Sequence, residues 1–115
     1  PGSPHPEFKG AGSREGLLIW RIEDKVPTLW PESKHGTFHT GDSYICLKTT
    51  IPSTGYKWDI HFWLGKDSSV DEIGIAAIKT VELDDSLGGV PSQYRETQGH
   101  ESRQFQSLFK KGIMF

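Results

Sequence analysis

Tyr56-Lys57-Trp58-Asp59-Ile60-His61-Phe62-Trp63-Leu64 is the stretch that decides the fold. Tyr56, Trp58, Ile60, Phe62 and Leu64 alternate with Lys57, Asp59, His61 and Trp63. A period of two places the first set on one face of a β-strand. The second set is mixed, and Trp63 within it indicates that the other face is partly covered as well. A sheet covered on both sides usually carries helices on each.

Working outward toward the C-terminus, residues 69–87 predict the main helix. Ser69 can accept from free N–H groups at its start, and Asp71 and Glu72 lie in the positive first turn. Gly88-Gly89 and then Pro91 stop it. At about 100° per residue, Ile73, Ala76, Ala77, Thr80, Leu83 and Leu87 share the core face. Gln93–Gln98 reads as a further strand. Glu101–Lys111 reads as a second helix with Phe105, Leu108 and Phe109 inward and Gly112 as its cap. Toward the N-terminus, strands are expected at 17–23, at 26–30 on an edge because of Pro27 and Pro31, near 37–39, and at 43–50. Gly36, Gly41-Asp42 and Pro52-Ser53-Thr54-Gly55 mark turns. Residues 1–15 read as a flexible tail, with Phe8 its one large apolar side chain and Pro1-Gly2-Ser3 resembling a cloning scar. Residues 16–115 form one domain, and the abrupt apolar ending Ile113-Met114-Phe115 suggests a piece of a longer protein.

Composition narrows the function. Thirteen Lys and Arg against fifteen Asp and Glu leave a net charge of −2, which disfavours general nucleic-acid binding through phosphate neutralisation. With 34% hydrophobic and 24% charged residues the chain can build a core. It has no run of roughly 18 apolar residues for a membrane span. The lone Cys46 permits no internal disulfide, fits a reducing compartment, and reads as a buried small hydrophobe between Ile45 and Leu47. His61 and Asp59 are ordinary same-face strand neighbours, and His5, His35, His39 and His100 lack metal-ligand spacing. No nucleotide-binding or hydrolase fingerprint is present, so the expectation is that the chain is not an enzyme.

Two features are left. Ile78 and Val81 lie off the core stripe, beside Gly74 and Asp85. Pattern alone leaves two readings, an edge of a wide buried face or anchors for a partner's hydrophobic groove. The acids Asp42, Glu72, Asp84 and Asp85 could supply oxygen ligands to a hard cation such as calcium, although not in the spacing of an EF-hand. Asp84 and Asp85 sit at the negative end of the helix, which favours a cation there.

Taken in order, the motifs resemble one family. Gly-Leu-Leu-Ile-Trp-Arg-Ile-Glu at 16–23, Gly41-Asp42-Ser43-Tyr44, Ile60-His61-Phe62-Trp63-Leu64-Gly65, and Asp71-Glu72 with Ala76-Ala77 and Thr80-Val81-Glu82-Leu83-Asp84-Asp85 resemble the first domains of the gelsolin, villin, severin and fragmin family. Arg95-Glu96 with Gln98-Gly99 and Glu101-Ser102, and Phe109-Lys110 with Gly112, continue the likeness, while Tyr94 stands at a usual histidine. The resemblance implies an α+β, gelsolin-like fold, a central mixed β-sheet sandwiched between one long and one short α-helix. It implies a calcium-dependent domain that binds actin monomers or caps barbed ends, within a cytoplasmic severing and capping protein of the cytoskeleton. Ile78, Val81, Asp84 and Asp85 would contact actin. One Ca2+ would lie within the domain on Gly41, Asp42 and Glu72. A second, shared with actin, would use Asp84, Gly89 and Pro91. Lys110 and Lys111 resemble the start of a phosphoinositide-binding segment. The alternative is an adaptor or structural domain of the same fold that does not bind actin.

Overall fold

The computed structural model describes residue 8 and residues 11–23, 26–51, 55–109 and 112–113. Five strands form a mixed sheet: β1 (Gly16–Glu23), β2 (Val26–Leu29), β3 (Ser43–Thr50), β4 (Lys57–Leu64) and β5 (Ser92–Thr97). Their spatial order is β2-β1-β3-β4-β5, antiparallel except for the parallel β4–β5 pair. That parallel step needs a crossover, and the long helix α1 (Val70–Ser86) supplies it. A short helix α2 (Arg103–Gln106) follows β5. The Pro27-bearing strand β2 is at an edge, where a missing backbone donor costs least.

The alternation in β4 divides the interior into two cores. Ile60 and Leu64 pack with Trp20, Ile22, Ile45, Leu47, and with Ala76 and Leu83 of α1. Trp63 points the other way, into a cluster with Ile19, Phe38, Tyr44, Phe105 and Phe109. The second face is therefore closed by aromatic rings as fully as the first is closed by α1. Phe8 completes the α1-side core, its ring edge-on to Trp20 at 4.9 Å. Trp58 Nε1 donates to the Gly12 carbonyl at 3.0 Å and fastens the same lead-in segment.

Three local expectations are corrected. The segment at 37–39 is not a strand, since only Thr37 forms a bridge. Its backbone closes turns instead, Thr37 N–H donating to the Lys34 carbonyl, and Gly36 takes φ +98°. Phe38 is carried into the centre of the second core, where it stacks on Trp63 at 5.0 Å. The second helix is also shorter than 101–111. After Gln106 the chain tightens into three-residue turns, Leu108 N–H to the Phe105 carbonyl and Phe109 N–H to that of Gln106. Gly112 closes a turn with Phe109 rather than capping a helix. Finally, Ala77 is exposed and Ile75 is half-buried against the core. The buried stripe of α1 is centred on Ala76, Thr80 and Leu83, each fully buried. Ala77 stands about 100° from Ala76 on the helical wheel, just outside that stripe.

Residues 1–7, 9–10, 24–25, 52–54, 110–111 and 114–115 lie outside the described residues, and with them the expected phosphoinositide contact at Lys110 and Lys111. Among the described residues no helix is long and apolar enough to cross a membrane.

Candidate functional site

The outer face of α1 is apolar where a surface helix should be polar. Ile78 is 57% exposed, Val81 49% and Val70 85%. The first of the two readings of Ile78 and Val81, an edge of the buried face, is excluded by those values. Ala77 and Gly74 fall on the same side, and a shallow depression runs along Val70, Asp71, Gly74, Ile75 and Ile78. Small residues between large ones leave a strip with relief rather than a flat surface. Such a face is costly in water and is typical of a docking surface.

The strip ends at acids. Ser86 is the last helical residue, and no basic residue occupies the last turn. The chain is stopped by two glycines in the left-handed region, Gly88 at φ +79° and Gly89 at +74°. Leu87 and Gly89 N–H groups both donate to the Asp84 carbonyl at 3.0 Å, and Gly88 N–H to that of Asp85. Asp84 is thereby fastened to the loop that contains Gly89 and the buried Pro91. Its carboxylate is divided. Oδ2 accepts from Nε2 of Gln93 on β5, while Oδ1 is buried with no hydrogen-bond partner among the described residues. A buried carboxylate oxygen without a donor is costly, and at a helix C-terminus the backbone dipole adds to the cost. That oxygen matches the donor a hard cation takes.

The start of α1 lies against a second oxygen-rich turn. Ser69 Oγ caps the helix by accepting from Glu72 N–H at 3.1 Å, and donates to Glu72 Oε1 at 3.2 Å. One residue earlier, Ser68 and Ser43 hydroxyls meet at 2.6 Å. Gly65 N–H donates to the Asp42 carbonyl at 3.0 Å, and Asp67 N–H to that of Thr40 at 2.8 Å. The Gly41-Asp42 turn and the lead-in to Glu72 are therefore one unit. Gly65 allows this because a Cβ there would sit 2.3 Å from the Thr40 carbonyl oxygen. The Asp42 carboxylate has Arg21 Nη1 at 3.9 Å. Among the described residues no three His, Cys, Asp or Glu side chains converge on a single point. Any cation here would therefore draw on backbone carbonyls and outside ligands.

Catalytic chemistry finds no footing in the buried polar groups. His61 does not work with Asp59. Its Nδ1 meets Glu96 Oε2 at 2.7 Å, with both side chains closed off from water. Glu96 also accepts from Ser102 N–H and Ser102 Oγ, which caps α2 by accepting from Phe105 N–H. The network ties β4 and β5 to α2 and leaves no access for a substrate. Burial pushes the Cys46 thiol well up, so it stays protonated. Sequence reasoning overlooked Gln93, Val70 and the spatial role of Gly65. The helical period could have flagged Val70 in advance, since it places Val70 beside Val81 on the face away from the core.

A model of the gelsolin repeat matches residues 26–106. The chain is 56% identical over 110 residues to the cytoplasmic gelsolin of Homarus americanus, covering 96% of this chain and 15% of that protein. It is 59% identical over 110 residues to villin-4 of Arabidopsis thaliana, covering 95% and 11% respectively. It is 52% identical over 114 residues to the actin depolymerising venom protein gelsolin 1 of Platymeris rhadamanthus, covering 96% and 30%. The chain thus spans less than a third of each of these relatives. Among solved structures, a chain of the Thorarchaeota 2DGel3/rabbit actin complex superposes with a TM-score of 0.70 at 24% identity, over 85% of this chain and 45% of that one. The fold is the same.

Proposed function

Because this chain belongs to the gelsolin repeat family, we propose that residues 16–115, with Phe8 docked on them, are a binding module for actin that carries no catalytic step. The observation that carries this reading is the exposed apolar strip of α1, with Ile78 and Val81 as anchors. An amphipathic helix that shows its second apolar face to water is built to lie in a hydrophobic groove. Relatives named gelsolin and villin, one of them named as actin-depolymerising, support actin as the partner. One relative named as cytoplasmic supports the cytoplasm as the place of work.

The proposal includes calcium. Bound calcium would supply positive charge between two acidic surfaces and accept oxygen ligands from both. On this chain Asp84 Oδ1 and the carbonyls of Gly89 and Pro91 would face it, and the partner would complete the set with a carboxylate. Because the chain alone offers one carboxylate there, affinity for the cation and affinity for actin must rise together by linkage. A second ion within the domain would use the Gly41 carbonyl, the Asp42 carboxylate and Glu72. The Asp42 carboxylate would then exchange its long contact with Arg21 for the ion. A phosphoinositide contact at Lys110 and Lys111 is supported by their resemblance to the start of the family's phosphoinositide-binding segment. Blocking barbed ends follows if the cleft that takes α1 is open at a filament end.

Analytical ultracentrifugation of the chain with actin monomers, in calcium and in chelator, tests the reading. A one-to-one complex in calcium that weakens in chelator is expected. Equal complexes in both would remove calcium from the mechanism. No complex in either would leave a gelsolin-fold adaptor.

A further inference from the structure

We infer that Gln93 is the positioning residue of the shared cation site, holding Asp84 so that a single bare oxygen faces the ion. The inference rests on the calcium reading above and goes beyond it, since it assigns a role to a residue outside the proposed ligand set. Gln93 lies on β5, paired with Ile60 in the parallel ladder, so its backbone is fixed by the sheet and not by the loop. From there its Nε2 donates to Asp84 Oδ2 across the end of α1. The result is a carboxylate with one oxygen taken and the other, Oδ1, buried and unpartnered. A free aspartate would spread over several rotamers, and each unproductive one lowers the fraction ready to bind. Anchoring Oδ2 removes that freedom before the ion arrives.

The chemistry of the donor matters. Lys or Arg at this position would also hold Oδ2, but a cation there would neutralise the carboxylate and repel calcium. The Gln93 amide is neutral, so it orients Asp84 and leaves its full negative charge for the ion. No basic residue in the last turn of α1 competes for it either. Gln93 itself is exposed, so it can be changed without opening the core.

The test compares wild type with Gln93→Met, which keeps side-chain length and removes the donor. The quantity read is the ratio of the Kd for monomeric actin in chelator to that in calcium. Gln93→Met should lower that ratio by about tenfold, the low end for loss of a group that orients a metal ligand. Its Kd in chelator should stay within about twofold of wild type, since only calcium binding uses the oriented oxygen. Equal weakening in calcium and in chelator would overturn the inference and make Gln93 a direct contact of the partner. An unchanged ratio would overturn it as well. A wild-type ratio of one would remove the calcium reading itself, a failure visible without any variant. An independent readout needs neither actin nor calcium. In the free chain, Asp84→Ala should shift the Gln93 side-chain NH2 resonances in a 1H–15N spectrum. If they do not move, the hydrogen bond is absent in solution and the inference falls.

Discussion

Replacing Gly65 by alanine should destabilise the fold by about 3 kcal/mol, and the reason is space rather than backbone conformation. A Cβ at this position would stand 2.3 Å from the Thr40 carbonyl oxygen and 2.6 Å from that of Asp42. Ordinary carbon–oxygen approach is about 3.3 Å or more, so the turn must retreat by roughly 1 Å. Both carbonyls are engaged, accepting from Asp67 N–H at 2.8 Å and from Gly65 N–H at 3.0 Å. Overpacking costs about 1–3 kcal/mol, and weakening two hydrogen bonds adds about 0.5–1.5 kcal/mol each. The smaller entropy of the unfolded alanine chain returns about 0.4–1 kcal/mol. Gly74→Ala is the matched control. It lies inside α1 with nothing within 4 Å of the added Cβ, and there the same substitution should stabilise by about 0.5–1 kcal/mol. Urea denaturation followed by tryptophan fluorescence reads both. With an m-value of about 1–3 kcal/mol/M, Gly65→Ala should lower the midpoint by about 1–3 M without changing the slope. A midpoint within about 0.3 M of wild type would refute the close approach of the two turns. It would also separate the Gly41-Asp42 turn from the start of α1.

Further outcomes follow from the same structure. Ile78→Asp should weaken actin binding by about 30-fold or more, as expected for a central anchor, while the melting temperature stays near wild type. Clear unfolding would place Ile78 in the core, contrary to its 57% exposure. Ser69→Ala removes the cap of α1 and should cost about 1 kcal/mol in urea denaturation. Burial first, offset in part by the hydrogen bond from His39 N–H, pushes the Tyr44 hydroxyl up to about 12 from the usual 10.0. The folded state therefore holds this proton more tightly than the unfolded chain. Its contribution is complete below pH 10 and is lost as pH rises toward 12. Tyr44→Phe should flatten stability across that window, and an unchanged slope would argue that the ring is open to water.

The legible parts were those governed by rules within a few residues. Alternation in β4 gave two covered faces, because adjacent side chains in a strand must point opposite ways. Ser69 and Glu72 marked the start of α1, and Gly88-Gly89 its end, because caps satisfy backbone groups close by in the chain. The off-core position of Ile78 and Val81 followed from the helical period, and the ordered motifs carried the family resemblance. The failures lie where distant segments set the outcome. Thr37–His39 has strand composition, yet Phe38 belongs to an aromatic cluster with Trp63, Phe105 and Phe109 from 25 to 71 residues away. The same packing holds Phe109 after α2 has ended, so inward rings did not require a continuous helix. Ala77 fell outside the buried stripe because the sheet, not the helix, chooses the centre of that stripe.

The sequence by itself therefore placed five of the six expected strands, the beginning and end of α1, and the apolar pair that stands off the core. The tertiary structure alone decided that Gly65 must lack a side chain, that His61 pairs with Glu96 and not Asp59, and that Gln93 reaches Asp84. Local periodicity and capping are written in neighbouring residues. A hydrogen bond or a close approach between residues on different elements exists only once the sheet has fixed their register.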